Sequence, residues 1–143
     1  MSEQPNVGVL MFVAYRAMEQ RVLAALADAG YEITLAQARL FQRIAPGGSR
    51  LTDLAEQAQI TKQSAGFLVE ALERAGYVRR VPDPTDARAR LIQIAPRGRR
   101  GIDASQKVVD DMIAEWTRHL GAKRMQALTE ALMSLREITD PYR

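Results

Sequence analysis

Apolar residues recur at three- and four-residue intervals from Val7 through Leu10, Met11, Ala14, Met18, Val22, Ala25 and Leu26. This predicts a long first helix, with Gly30 as its stop. Thr34 and Gln37 then stand three apart, as in a capping box, and Leu40, Phe41 and Ile44 carry a second helix up to Pro46-Gly47-Gly48. Thr52 is placed to cap a short third helix holding Leu54, Ala55 and Ala58, after which Gln59 and Ile60 turn the chain into a fourth. The fourth is marked at both ends, by Thr61 as N-cap and by Gly76 as a left-handed stop. Its Ala65, Leu68, Val69, Leu72 and Ala75 commit one face to a core.

After Gly76 the period changes. Tyr77 to Val81 and Arg90 to Ile94 are β-prone runs, and the intervening Pro82-Asp83-Pro84-Thr85-Asp86-Ala87 predicts a hairpin with a long tip. Pro96 suits the first turn of a helix that runs to Leu120 through Ile102, Val108, Val109, Met112, Ile113 and Trp116. Gly121 interrupts the pattern. A last helix follows from Ala122 to Thr139 through Met125, Leu128, Leu132, Leu135 and Ile138, and Pro141 ends it.

Two helices about three residues apart, followed at once by an arginine-bearing hairpin, make a winged helix-turn-helix. The expected fold is therefore mainly α, with a two-stranded β-wing. Residues 34–96 form the reading head, and residues 1–33 with 97–143 form a helical dimerisation region. The apolar stripes of the first helix and the last two exceed what one small winged helix can cover. They pack either within the chain or against a second copy, and a two-fold DNA target favours the second copy.

The polar face of the fourth helix opens with Thr61, Lys62, Gln63, Ser64 and Gly66, followed by Phe67. Short or hydrogen-bonding side chains in a first turn suit a major groove, where amides and hydroxyls read base edges and lysine meets phosphate. Charge agrees with that reading. The chain of 143 residues carries a net charge of +3, yet residues 61–100 hold nine Lys and Arg against four Asp and Glu, a local excess of +5. Arg79, Arg80, Arg88 and Arg90 lie on or near the hairpin, pointing to a polyanionic partner for this stretch.

Other chemistry is missing. The chain has no cysteine, which excludes disulfides, thiolate metal sites and thiol-based sensing. Its one histidine, His119, has no cluster of carboxylates around it in sequence, and no phosphate loop or nucleophile elbow occurs, so neither an enzyme nor a cofactor is expected. No run approaches the length of a membrane span, and Met-Ser-Glu-Gln-Pro-Asn lacks the start of a secretory signal. A cytoplasmic protein with no membrane partner is the expectation.

Leu51-Thr-Asp-Leu-Ala-Glu, Ile60-Thr-Lys-Gln-Ser, Leu72-Glu-Arg-Ala-Gly-Tyr-Val-Arg-Arg, Asp83-Pro-Thr-Asp-Ala-Arg and Ile94-Ala-Pro-Arg-Gly together resemble the MarR (multiple antibiotic resistance regulator) family of bacterial transcription factors. The resemblance covers nearly the whole chain. It implies a homodimer whose terminal helices interlock, with the fourth helix in a major groove and the wing in a minor groove of a pseudo-palindromic operator. It further implies a repressor that a small molecule releases, bound in a cleft for which Arg16, Tyr31, Arg39 and Trp116 are candidates. Within the wing motif the arginine at Arg88 enters the minor groove and Asp86 orients it.

The chain departs from the family pattern in two places. Ala87 stands where a second arginine is common, leaving Arg88 and Arg90 as alternative readers, and Ala95 replaces a threonine that would cap the fifth helix. Two other functions fit the same sequence: a winged-helix regulator without a small-molecule response, and a winged-helix protein-interaction module.

Overall fold

The computed structural model describes residues 3–142; Met1, Ser2 and Arg143 lie outside it. Six helices and one antiparallel two-stranded sheet follow in the order α1 (Val7–Asp28), α2 (Leu35–Phe41), α3 (Leu51–Ala58), α4 (Lys62–Arg74), β1 (Val78–Asp83), β2 (Asp86–Ile94), α5 (Pro96–Leu120) and α6 (Ala122–Thr139). This is the expected winged helix.

Local chemistry sets most of the boundaries. Thr34 Oγ1 accepts from the Gln37 amide at 3.2 Å while Gln37 Oε1 accepts from the Thr34 amide at 3.0 Å, closing the capping box at α2. Thr61 Oγ1 accepts from the Ser64 amide at 3.0 Å, and Gly76 ends the α4 region at φ +81°. A side chain there would meet the left-handed steric penalty, which glycine avoids.

Three boundaries differ from expectation. Helix α3 begins at Leu51, so Thr52 is not its cap; extended Arg50 takes the cap position without a side-chain cap bond. Helix α2 ends at Phe41, and Ile44 reaches the core from the following turn. The wing has a short tip, because β1 continues through Pro82 to Asp83 and β2 starts at Asp86. A proline lacks only a donor, so an edge ribbon tolerates it where a central strand would not.

By packing, the chain divides into two compact units: Met1–Val22 with Gln106–Arg143, and Leu23–Ser105. The second unit contains the winged helix. Its core joins Leu40 and Ile44 to Leu54 and Ala55 of α3, Ala65, Val69 and Leu72 of α4, then Tyr77, Val78 and Ile92. Leu40, Leu54, Val69 and Leu72 are completely buried, and each such side chain contributes about 1.5 to 3 kcal/mol.

Two long-range ties finish this unit. Ser49 and Ile92 exchange backbone hydrogen bonds of 3.0 and 2.8 Å, adding one bridge to the sheet. The Arg97 guanidinium donates to the carbonyls of Ala75 and, at 2.9 Å, Gly30, and lies 4.7 Å from the centroid of the Tyr77 ring. The ends of two helices thereby gain a charged donor for carbonyls that have no partner in their own helix.

In the other unit, Arg21 Nη1 pairs with Glu115 Oε2 at 2.6 Å. Helix α6 buries none of its residues. No helix among the described residues is long and apolar enough to cross a membrane.

Candidate nucleic-acid interface

Helix α4 presents its polar face because its apolar face is held by the core. Ala65, Val69 and Leu72 are buried, which leaves Thr61, Lys62, Gln63 and Ser64 exposed at the amino-terminal turn. The Thr61 hydroxyl donates to Ser64 Oγ at 2.9 Å. Ser64 therefore acts as acceptor within the chain and keeps its own hydroxyl proton to offer outward. The Gln63 amide, exposed in the same turn, presents a donor and an acceptor together.

Gly66 sits in this turn without being required by packing. A Cβ there would meet only Leu51 Cδ2, at 3.9 Å, although glycine inside a helix costs about 1 kcal/mol relative to alanine. Phe67, one turn beyond Gln63, is 64% exposed.

The wing is fastened to the start of α3. Arg50 Nε and Nη2 donate to Asp83 Oδ2 at 2.8 and 2.7 Å, while the Thr85 amide and hydroxyl donate to Asp83 Oδ1 at 2.8 and 2.7 Å. Both oxygens of this buried carboxylate are occupied. The two bonds from Thr85, followed by those from Arg50, lower the Asp83 pKa to about 2. Arg50 also lies 4.0 Å from Asp86.

Because the folded pKa lies below the usual aspartate value near about 3.9, the Asp83 contribution is present above that value and disappears as pH falls towards about 2. Asp83→Asn should therefore melt lower than the parent chain at neutral pH, and the difference should narrow between about pH 4 and pH 2. Thermal melts across that range check this. A gap that stays constant would place the Asp83 contribution outside ionisation.

Register explains how Arg88 is displayed. Pro82 pairs with Arg90 and the next residue, Asp83, pairs with Asp86, so Ala87, Arg88 and Ala89 bulge from the ribbon. Asp86 Oδ1 accepts from the Arg88 amide at 3.0 Å. The aspartate thus holds the backbone of Arg88, and the guanidinium projects from an exposed position. Arg79 and Arg90 are likewise exposed, whereas Arg80 leans on α4, with Nε 3.6 Å from Glu73 Oε1. Among the described residues no carboxylate pairs with Arg79, Arg88 or Arg90. Sequence reasoning overlooked Arg50 and Asp83, which lie 33 positions apart and carry no periodic signal.

The four cleft candidates fall in different units. Arg16 stacks over Phe12 at 5.3 Å from the ring centroid, and Trp116 lines a cavity of about 470 Å³ with Ala14, Glu115, His119, Leu120 and Leu128. Tyr31 packs against the reading-head core, with Arg97 at 5.8 Å from its ring centroid; Arg39 occupies the last turn of α2.

Residues 31–89 match the sequence profile of the MarR family. No curated protein matches the chain. Among solved structures, the transcriptional regulator Tm0710 from Thermotoga maritima is 27% identical, with 96% of each chain covered and a TM-score of 0.69. NadR in complex with 4-hydroxyphenylacetate is 26% identical over 96% of this chain and 97% of its own, also with a TM-score of 0.69. Wild-type MarR from E. coli in its apo form is 22% identical over 93% of this chain and 98% of its own, with a TM-score of 0.73, a likeness of fold. The matching profile covers the helix-turn-helix and most of the wing, and the order of six helices and one hairpin agrees along nearly the whole length, so this chain is similar to the MarR-family transcriptional regulators in sequence over residues 31–89 and in fold throughout.

Proposed function

We propose that the chain is a homodimeric DNA-binding repressor of a pseudo-palindromic operator, released by a small amphipathic ligand. The observation that carries the DNA reading is the pairing, within one unit, of an exposed polar first turn on α4 with an arginine wing pinned by the Arg50–Asp83 bond. Gln63 and Ser64 offer donors and acceptors to base edges in a major groove, and Lys62 meets phosphate. Gly66 lets the helix backbone approach closely. Arg88 enters a minor groove, whose negative potential attracts a guanidinium without asking for one base pattern.

The dimer reading rests on the terminal helices. An 18-residue helix that buries nothing, such as α6, gains too little from its own hydrogen bonds to be stable alone in water. It exposes Leu128, Leu132, Met133, Leu135 and Ile138, the last at 83%, and α1 exposes Val7, Leu10, Met11 and Phe12. A second copy covers both stripes, and the cavity beside Trp116 and Leu128 gives its side chains room. On this reading residues 1–33 and 97–143 pair, and residues 34–96 read DNA.

Release requires a ligand with different affinities for the DNA-competent and incompetent states. NadR holds 4-hydroxyphenylacetate, an aromatic carboxylate, and we assign the same chemical class to the effector here.

The test is a binding selection on randomised duplexes with the parent chain and single variants. Gln63→Ala should relax discrimination at particular positions by about 1 to 3 kcal/mol while leaving non-specific binding largely intact. Arg88→Ala should weaken binding to many sequences and flatten the salt slope by about one unit per copy. If Arg90→Ala cripples binding and Arg88→Ala is near neutral, Arg90 is the minor-groove reader. Equal losses on every sequence for Gln63→Ala would remove α4 from recognition.

A further inference from the structure

We propose that Phe67 is a specificity-determining residue that reads the 5-methyl group of a thymine in the operator's major groove. This rests on the DNA-binding reading above and goes one step further, to the identity of a base. Among the described residues of the unit Leu23–Ser105, Phe67 is the one large apolar side chain left exposed; the others lie in α1, α5, α6 or the chain end beyond them. It lies one turn after Gln63, and residues four apart on a helix share a face. Ala65, Leu68 and Val69 turn inward, so the core cannot take the ring.

Its surroundings select the partner. On the polar face Phe67 is flanked by Gln63, Gly66 and Glu70, with no second exposed apolar residue beside it in the reading head. A protein partner would bury such a ring within a contiguous apolar patch, and a single side chain does not make one. A major groove presents the matching arrangement: hydrogen-bonding edges, interrupted by an apolar methyl wherever a thymine stands. The basic excess of residues 61–100 brings the helix to that surface, and Gly66 removes the neighbouring side chain that would hold the ring away.

The probe is the duplex that the parent chain enriches most from a random pool, remade with each thymine replaced in turn by deoxyuridine. That exchange removes only the methyl and leaves every hydrogen-bonding edge unchanged. One thymine per half-site should prove methyl-sensitive, with affinity falling about fourfold for each buried methyl lost. Phe67→Ala should bind the thymine and deoxyuridine duplexes equally at that position, and Phe67→Leu should keep part of the difference. Because the ring lies outside the core, all three proteins should melt together, which separates recognition from folding. The proposal is overturned if no thymine is methyl-sensitive, or if Phe67→Ala retains the parent's ratio. Failure of the parent to enrich any sequence would instead overturn the DNA-binding reading, and this inference with it.

Discussion

Gly98→Ala should lower the melting midpoint of the chain by about 10 °C or more, corresponding to a loss of about 3 kcal/mol or more. A Cβ at position 98 would stand 2.3 Å from the Tyr77 carbonyl oxygen and 3.2 Å from both Ile94 Cγ2 and Phe41 Cε2. Two of these neighbours are side chains that can shift, but the closest is backbone. The same Tyr77 carbonyl accepts from the Ala95 amide at 2.9 Å, the bond that leads the chain from β2 into α5. Relieving the clash would therefore break that turn. Overpacking a core commonly costs about 1 to 3 kcal/mol, and a backbone obstacle puts this substitution at the upper end or beyond.

Gly101→Ala provides the contrast within the same helix. A Cβ there lies 3.7 Å from the Tyr31 ring, an ordinary contact, and alanine gains about 0.5 to 1 kcal/mol over glycine in a helix interior. It should melt at or slightly above the parent. Circular dichroism melts of the three proteins decide the matter, and a Gly98→Ala variant melting within a degree or two of the parent would show that Tyr77 and α5 are free to separate.

DNA affinity should fall by about 10⁴ between 50 and 200 mM salt. Lys62, Arg79, Arg88 and Arg90 are exposed on the reading head and carry no ion pair among the described residues, so two copies bring about eight cations to the phosphates. Each releases close to one counterion, for a slope of about −7 in log affinity against log salt. A single copy would bring half as many charges and lose only about 10² over the same range. The slope therefore tests both partner and stoichiometry: a flat profile points to a protein-interaction module, and a halved one to a monomeric reader. Arg80 and Arg97 are left out of the count because Glu73 and two main-chain carbonyls already engage them.

The features legible in the sequence are those whose cause lies within one helical turn. Thr34 with Gln37, Thr61 with Ser64, Gly76 and Gly121 each act on backbone three or four residues away, so spacing alone identifies them. The buried stripe of α4 belongs to the same class, since a 3.6-residue period can be read without knowing what covers it. The polar first turn that offers Gln63 and Ser64 is the complement of that stripe, and so was equally legible.

Contacts between residues far apart in the chain were settled only by the tertiary structure. Arg50 meets Asp83 across 33 positions, and Arg97 meets Gly30 across 67, and no local pattern ties either pair together. Thr52 resembles a cap because its residue type suits one, but the extended backbone of Arg50, whose side chain is held by the wing, starts α3 two residues earlier. Gln59 takes a left-handed φ of 57° between α3 and α4, a conformation its residue type does not announce. The prolines of the wing suggested a long loop, yet at the edge of a two-stranded ribbon their missing donors leave the pairing intact and the bulge falls at Arg88 instead. Periodicity and capping are properties of neighbouring residues and are written into the sequence, whereas the partner of a charged side chain is chosen by which distant segment the folded core brings within about 3 Å of it.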